Sequence, residues 1–168
     1  MSVELTTAGL TWAPHASPEA AEKLLRVLRA WEGTPYAVGQ KCRGVAADCI
    51  RAGHGVVEDW SGQKLPETPR LPPDTALHNR RGAIAQMREM RACFPPHRVR
   101  RDGIATAGSI VVTGHVHGGP GHMLLVGPER NTLWQAGTIG FGRHGWGLQL
   151  GWQHLWRVFE FIGSEQWR

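Results

Sequence analysis

The sequence predicts an α+β domain, with helices in its first half and a roughly five-stranded antiparallel sheet in its second. Three observations carry this. Apolar residues recur at helical spacing from Ala21 to Trp31 and again from Ile50 to Trp60. After Gly108 the pattern changes to short β-branched or aromatic runs set apart by glycine-rich turns. No repeat or flexible linker divides the 168 residues, so 1–168 reads as a single domain, with a core over about 18–162 and an irregular or short-stranded lead-in over 1–16.

The elements follow in order. Ser17-Pro18-Glu19 is a helix start, with a capping hydroxyl, a proline that needs no N–H, and an acid in the first turn. Ala21, Leu24, Leu25, Leu28 and Trp31 form the buried stripe of that helix, and Gly33 ends it. A second helix opens at Asp48-Cys49, with Asp48 as N-cap and Ile50, Gly53, Val56, Val57 and Trp60 on one face. Residues 61–73 hold four prolines and read as an extended loop. Asp74 caps a third helix that turns Leu77, Ile84, Met87 and Met90 inward, and Phe94-Pro95-Pro96 breaks it. A basic connector, 97–102, leads to strands at Ser109–Thr113, Met123–Val126, Thr132–Ala136, Trp146–Leu150 and Leu155–Ile162.

Composition narrows the partners. The net charge of +5 comes from 19 Lys and Arg against 14 Asp and Glu, much of it clustered at Arg80, Arg81, Arg88, Arg91, Arg98, Arg100 and Arg101. Such a face fits an anionic partner or simply a solvated surface. No aromatic side chains interleave the cluster, so no nucleic acid is expected. No run of about 18 apolar residues is present, so no membrane span is expected. The first twenty residues lack a basic-then-apolar leader, which predicts synthesis in the cytoplasm without an ordinary export signal. Three cysteines at unrelated spacings predict reduced thiols rather than a disulfide framework.

Two groups carry candidate chemistry. Cys49 falls in the first turn of its helix, where free backbone N–H groups and the helix dipole favour a thiolate. The plain alternative is a small apolar core residue. The stretch HVHGGPGHMLLV brings His115, His117 and His122, which read either as a zinc set or as a single base, His122, at the mouth of an apolar strand. In the next strand Gln135 offers a side-chain carbonyl that would fix the tautomer of His122.

Together these residues resemble the NlpC peptidase superfamily (also called p-sixty), papain-like cysteine peptidases that cut peptidoglycan stem peptides. The resemblance rests on Trp31 before Gly33-Thr34-Pro35-Tyr36, on Asp48-Cys49 opening a helix, on AGSIVV in place of the family's Pro-Gly-Asp strand, on GHMLLVGP with its histidine, and on LWQAG with its polar third residue. It spans roughly residues 20–160. It implies a papain-like NlpC fold with Cys49 as nucleophile, His122 as base and Gln135 as orienting group. Tyr36 would hold the oxyanion or substrate, and Asp48 would grip a stem-peptide amine. No cofactor or metal is implied.

The chain departs from the pattern in three places. Ile50-Arg51 replaces the usual Ser-Gly after the cysteine, putting the cation of Arg51 near the cleft. Gln135 replaces the usual histidine, and Ser109 replaces the aspartate of the Pro-Gly-Asp turn. Cys42 reads as a bystander thiol and Cys93 as core.

The compact size and the run from Leu71 to His78 resemble the peptidases encoded with the tails of bacteriophages and gene transfer agents. The implied function is a peptidoglycan endopeptidase or amidase carried in a phage-like tail beside other tail-tip proteins and acting at the periplasmic cell wall. The rival readings are a structural tail-tip module that keeps the fold with little or no catalysis, and a zinc hydrolase built on the histidines.

Overall fold

The structure, a computed structural model, describes residues 9–67, 88, 90–115, 122–137, 139–145 and 153–168, with the side chains of 114, 115 and 153–156 outside the description. The third helix's Asp74, Leu77, Ile84 and Met87, the strand at 146–150, His117 and Arg80-Arg81 also lie outside the described residues.

Helix α1 (Pro18–Trp31) begins where the sequence places it, with the Ser17 hydroxyl accepting from the Ala20 N–H at 3.1 Å. It buries Ala20, Leu24, Leu28 and Trp31, and Gly33 leaves it with φ +79°. Helix α2 (Cys49–Ser61) is capped by Asp48 and closed by a left-handed Gly62. It is buried over far more than one stripe: every residue from Cys49 to Val57 is enclosed, Arg51 and His54 included. Gly55 allows α1 to approach, since a Cβ there would stand 2.4 Å from the Trp31 ring. The two helices are also joined by the Trp60 indole N–H, which donates to the Ala20 carbonyl at 2.9 Å.

The main sheet has six antiparallel strands: β4 (His97–Arg100), β6 (Ile110–His115), β7 (His122–Val126), β8 (Thr132–Gly137), β9 (Gly140–Gly145) and β10 (Gln153–Phe161). Their order is β4-β10-β6-β7-β8-β9. A parallel pair, β1 (Thr11–Ala13) with β5 (Ile104–Thr106), and a small hairpin, β2 (Lys41–Cys42) with β3 (Ala46–Ala47), complete it. The basic connector is thus partly an edge strand, in which Arg98 and Arg100 both pair with Glu160 of β10. Charge on an edge strand guards it against pairing with another sheet.

Strand alternation sorts the sheet residues into two cores. Ile110, Val112, Met123, Leu125, Trp134, Ala136 and Phe159 pack with Cys49, Ile50, Val56 and Val57 of α2. Val111, Leu124, Val126, Leu133 and Val158 pack on the other face, with Leu10, Ala105 and the side of Trp12.

Candidate active site

The segment Gly33 to Tyr36 ties α1, the β2–β3 hairpin and β9 together at the mouth of α2. Thr34 is fully buried; its hydroxyl donates to the Trp31 carbonyl at 2.7 Å and accepts from the Gly44 N–H at 2.9 Å. Its carbonyl accepts from Phe141 of β9 at 2.8 Å, and the Pro35 carbonyl accepts from Ala47 at 2.9 Å. Tyr36 then bridges to Ala47, one residue from the Asp48 cap. The half-buried Tyr36 phenol is pushed up to about 12 by burial and by the charges of Cys49 and Asp48 beside it.

Asp48 is fully engaged. One carboxylate oxygen accepts from the Arg51 backbone N–H at 2.8 Å. The other accepts from the Arg51 guanidinium at 2.7 Å and from the Gly39 N–H at 2.8 Å. Both partners of this ion pair are buried, Asp48 3% and Arg51 6% exposed. The cation that follows the cysteine thus turns inward to the cap.

The Cys49 thiol is buried and is pushed up to about 12. Burial is the largest cause and the neighbouring Asp48 charge adds to it, while the N–H groups of Met123, Ile50 and Cys49 itself pull the other way. The readily ionised thiol expected from a helix mouth is therefore reversed. Backbone dipoles at a helix start cannot offset the loss of water around a thiolate this deeply enclosed.

The hydrogen bond from Met123 locates the sulfur. Val126 exchanges its backbone bonds with Gly108 and Ser109 on the β6 side. Alternate residues of β7 therefore point toward β6, and Leu125 and Met123 point toward β8. The β7–β8 ladder stops at Leu125↔Trp134, leaving the Met123 N–H to reach the Cys49 sulfur instead. One peptide unit separates that N–H from the Cα of His122.

His122 leaves β7 on the face away from Met123, and Gln135 leaves β8 on the same face, between Trp134 and Ala136 of the helix-side core. Thiol and imidazole thus approach the unpaired mouth between β7 and β8 from opposite sides of the sheet. Gln135 raises the pKa of His122, against a larger lowering by burial. A further histidine, His144 on β9, shares this face; its charge also lowers His122, and its own pKa is lowered by burial. Nothing in the glycine-rich run GFGRHG marks it as a strand, so sequence reasoning missed His144.

The β6 backbone ends at His115, paired with Gln153. Among the described residues no group of three or more His, Cys, Asp or Glu side chains could hold a metal ion. Cys42 is exposed and Cys93 buried, its thiol donating to the Glu67 carbonyl at 3.6 Å. The chain matches no known family model, and no curated protein matches it in sequence.

Proposed function

We propose that this chain is a papain-like cysteine peptidase or amidase of the NlpC type, cutting peptidoglycan stem peptides and carried in a phage-like tail. The observation that supports the reading is nearness along β7: the Met123 N–H acts on the Cys49 thiol and His122 is the residue before it, although thiol and imidazole lie on opposite faces of the sheet. The Met123 N–H pulls the Cys49 thiol toward ionisation, and Gln135 raises the pKa of the adjacent residue, His122. A nucleophile, a base and an amide that orients the base are the parts acyl transfer requires.

Both the thiol and the imidazole are neutral at neutral pH, so the proton moves as the bond forms. Cys49 attacks the amide carbonyl while His122 accepts the thiol proton. The Cys49 backbone N–H, at the start of α2, is the donor offered to the oxyanion, with the Tyr36 phenol beside it. His122 then protonates the leaving amine, and water releases the acyl group from the thioester. The tail-borne setting rests on the sequence resemblance alone.

One observation favours the second reading, a structural tail-tip module without catalysis. A thiol 2% exposed and held protonated is what a core cysteine looks like. Mass spectrometry of purified muropeptides incubated with wild type and with Cys49→Ala separates the two. New cleavage products formed only by wild type support the peptidase; an unchanged muropeptide profile in both leaves the structural module.

A further inference from the structure

We propose that Arg51 determines specificity in this cleft: its buried guanidinium occupies the carboxylate beside Cys49, so the cleft takes a peptide that is uncharged at that point, with an acylated rather than a free amino end. The substrate half of this inference rests on the peptidase reading; the occupancy of Asp48 does not.

Three observations support it. Asp48 is a carboxylate whose charge acts on the Cys49 thiol. A carboxylate at such a place is the natural receptor for an ammonium group arriving next to the nucleophile. Yet its two oxygens already accept three hydrogen bonds, at 2.7 to 2.8 Å, and two of those come from Arg51.

The second observation is enclosure. With both side chains nearly dry, exchanging the guanidinium for a substrate ammonium would require pulling a charge out of a place that cannot solvate its partner. The third is local geometry. Arg51 lies three residues after the cap it serves, on the first turn of α2, so its own backbone N–H and side chain close on the same carboxylate. The chain thus supplies from within the positive charge that a free amine would otherwise bring. A stem peptide still joined to its glycan strand has an acylated amino end and no such charge.

The test uses thiol reagents and peptides in parallel. A cationic aminoethyl methanethiosulfonate and its neutral methyl counterpart are reacted with the full chain, and labelling at Cys49 is read by peptide mass mapping against exposed Cys42. Wild type is expected to show no preference for the cation at Cys49 beyond that at Cys42. In Arg51→Gln, which uncovers Asp48, the cationic preference at Cys49 is expected to rise about tenfold, and in Arg51→Lys to stay near wild type. A strong cationic preference in wild type, or no change in a folded Arg51→Gln chain, overturns the proposal; should Arg51→Gln fail to fold, the wild-type ratio decides.

The second arm compares one stem peptide with a free and with an acetylated amino end. Wild type is expected to cut the acetylated form at least about tenfold faster, and faster cleavage of the free amine overturns the proposal. Cleavage of neither peptide counts against the peptidase reading, while the reagent ratio still decides whether Arg51 masks Asp48.

Discussion

The Cys49 sulfur accepts a hydrogen bond from the Met123 backbone N–H, and the residue before Met123 is His122. This bond exists because the ladder between β7 and β8 ends at Leu125↔Trp134. A fully zipped pair would spend the Met123 N–H on Ala136. The interruption of the sheet is therefore what leaves the Met123 N–H open to a helix-borne sulfur.

The first prediction concerns the thiol itself. With Cys49 pushed up to about 12 and Cys42 exposed, iodoacetamide at neutral pH is expected to label Cys42 first and Cys49 far more slowly. The same shift has a stability consequence. A thiol whose ordinary value of 9.0 rises to about 12 in the folded chain contributes stability that is present below pH 9.0 and is lost as pH climbs toward 12. Tyr36, raised from 10.0 to about 12, acts in the same direction. Urea unfolding at about pH 8 and about pH 10.5 should show a loss of a few kcal/mol, smaller in Cys49→Ala. A flat profile would contradict the buried, protonated thiol.

Gln135 supplies the second. On the peptidase reading, because Gln135 raises the pKa of His122, Gln135→Leu lowers that pKa and moves the acid limb of kcat/KM to lower pH. Losing the orienting amide also lowers the plateau, by about a hundredfold. Gln135→Asn restores part of both. A lower plateau with an unmoved acid limb would mean that Gln135 supports the fold rather than the imidazole.

Legibility in the sequence tracked how much of each signal was local. Ser17 and Asp48 were readable as caps because capping uses only the next three residues, and both helices start there. Four of the predicted strands are β6, β7, β8 and β10, because β-branched and aromatic runs signal burial directly. The strands β4 and β9 were not readable, since HRVR and GFGRHG owe their conformation to partners far along the chain. The turn of Arg51 toward Asp48 was equally hidden, because a cation after a cysteine reads as exposed until burial is known. The opening of the β7–β8 ladder has no sequence signature at all, and the approach of the Met123 N–H to Cys49 depends on it.

Close packing of glycine against tryptophan sets the third prediction. A Cβ at Gly55 would lie 2.4 Å from the Trp31 ring, and one at Gly108, where φ is +89°, would lie 2.3 Å from Trp60. Gly55→Ala and Gly108→Ala are each expected to destabilise by about 2–4 kcal/mol, Gly108→Ala more because overlap and backbone strain combine. Gly137→Ala, with nothing within 4 Å of its Cβ, is the control and is expected to cost about 1 kcal/mol or less. Thermal unfolding of the three variants checks the order; equal losses would show that space around the tryptophans is not the cause.

The last prediction comes from a buried histidine outside the cleft. Lys41 of β2 donates to Nδ1 of His54 at 3.1 Å and pairs with Glu58 at 3.0 Å, so Nε2 of His54 carries the proton and donates to the Pro66 carbonyl at 2.8 Å. Glu58 in turn accepts from the Leu65 N–H at 2.9 Å, and this group ties the β2 hairpin and residues 63–66 to α2. Burial and the Lys41 charge lower the pKa of His54 below its ordinary 6.5. Its contribution to stability is therefore present above pH 6.5 and is lost as pH falls below it, because the unfolded chain takes up the proton first. His122 and His144 add to the same acid slope. His54→Gln keeps an acceptor for Lys41 and a donor for Pro66 without titrating, so it is expected to flatten the stability profile between about pH 7 and about pH 5. In wild type the Leu65 amide is expected to lose hydrogen-exchange protection over that range faster than amides in the middle of β7, once intrinsic exchange rates are corrected for pH. An unchanged slope in His54→Gln, with Leu65 protection constant in wild type, would show that His54 stays neutral by some other arrangement and that the link to Lys41 carries no pH dependence.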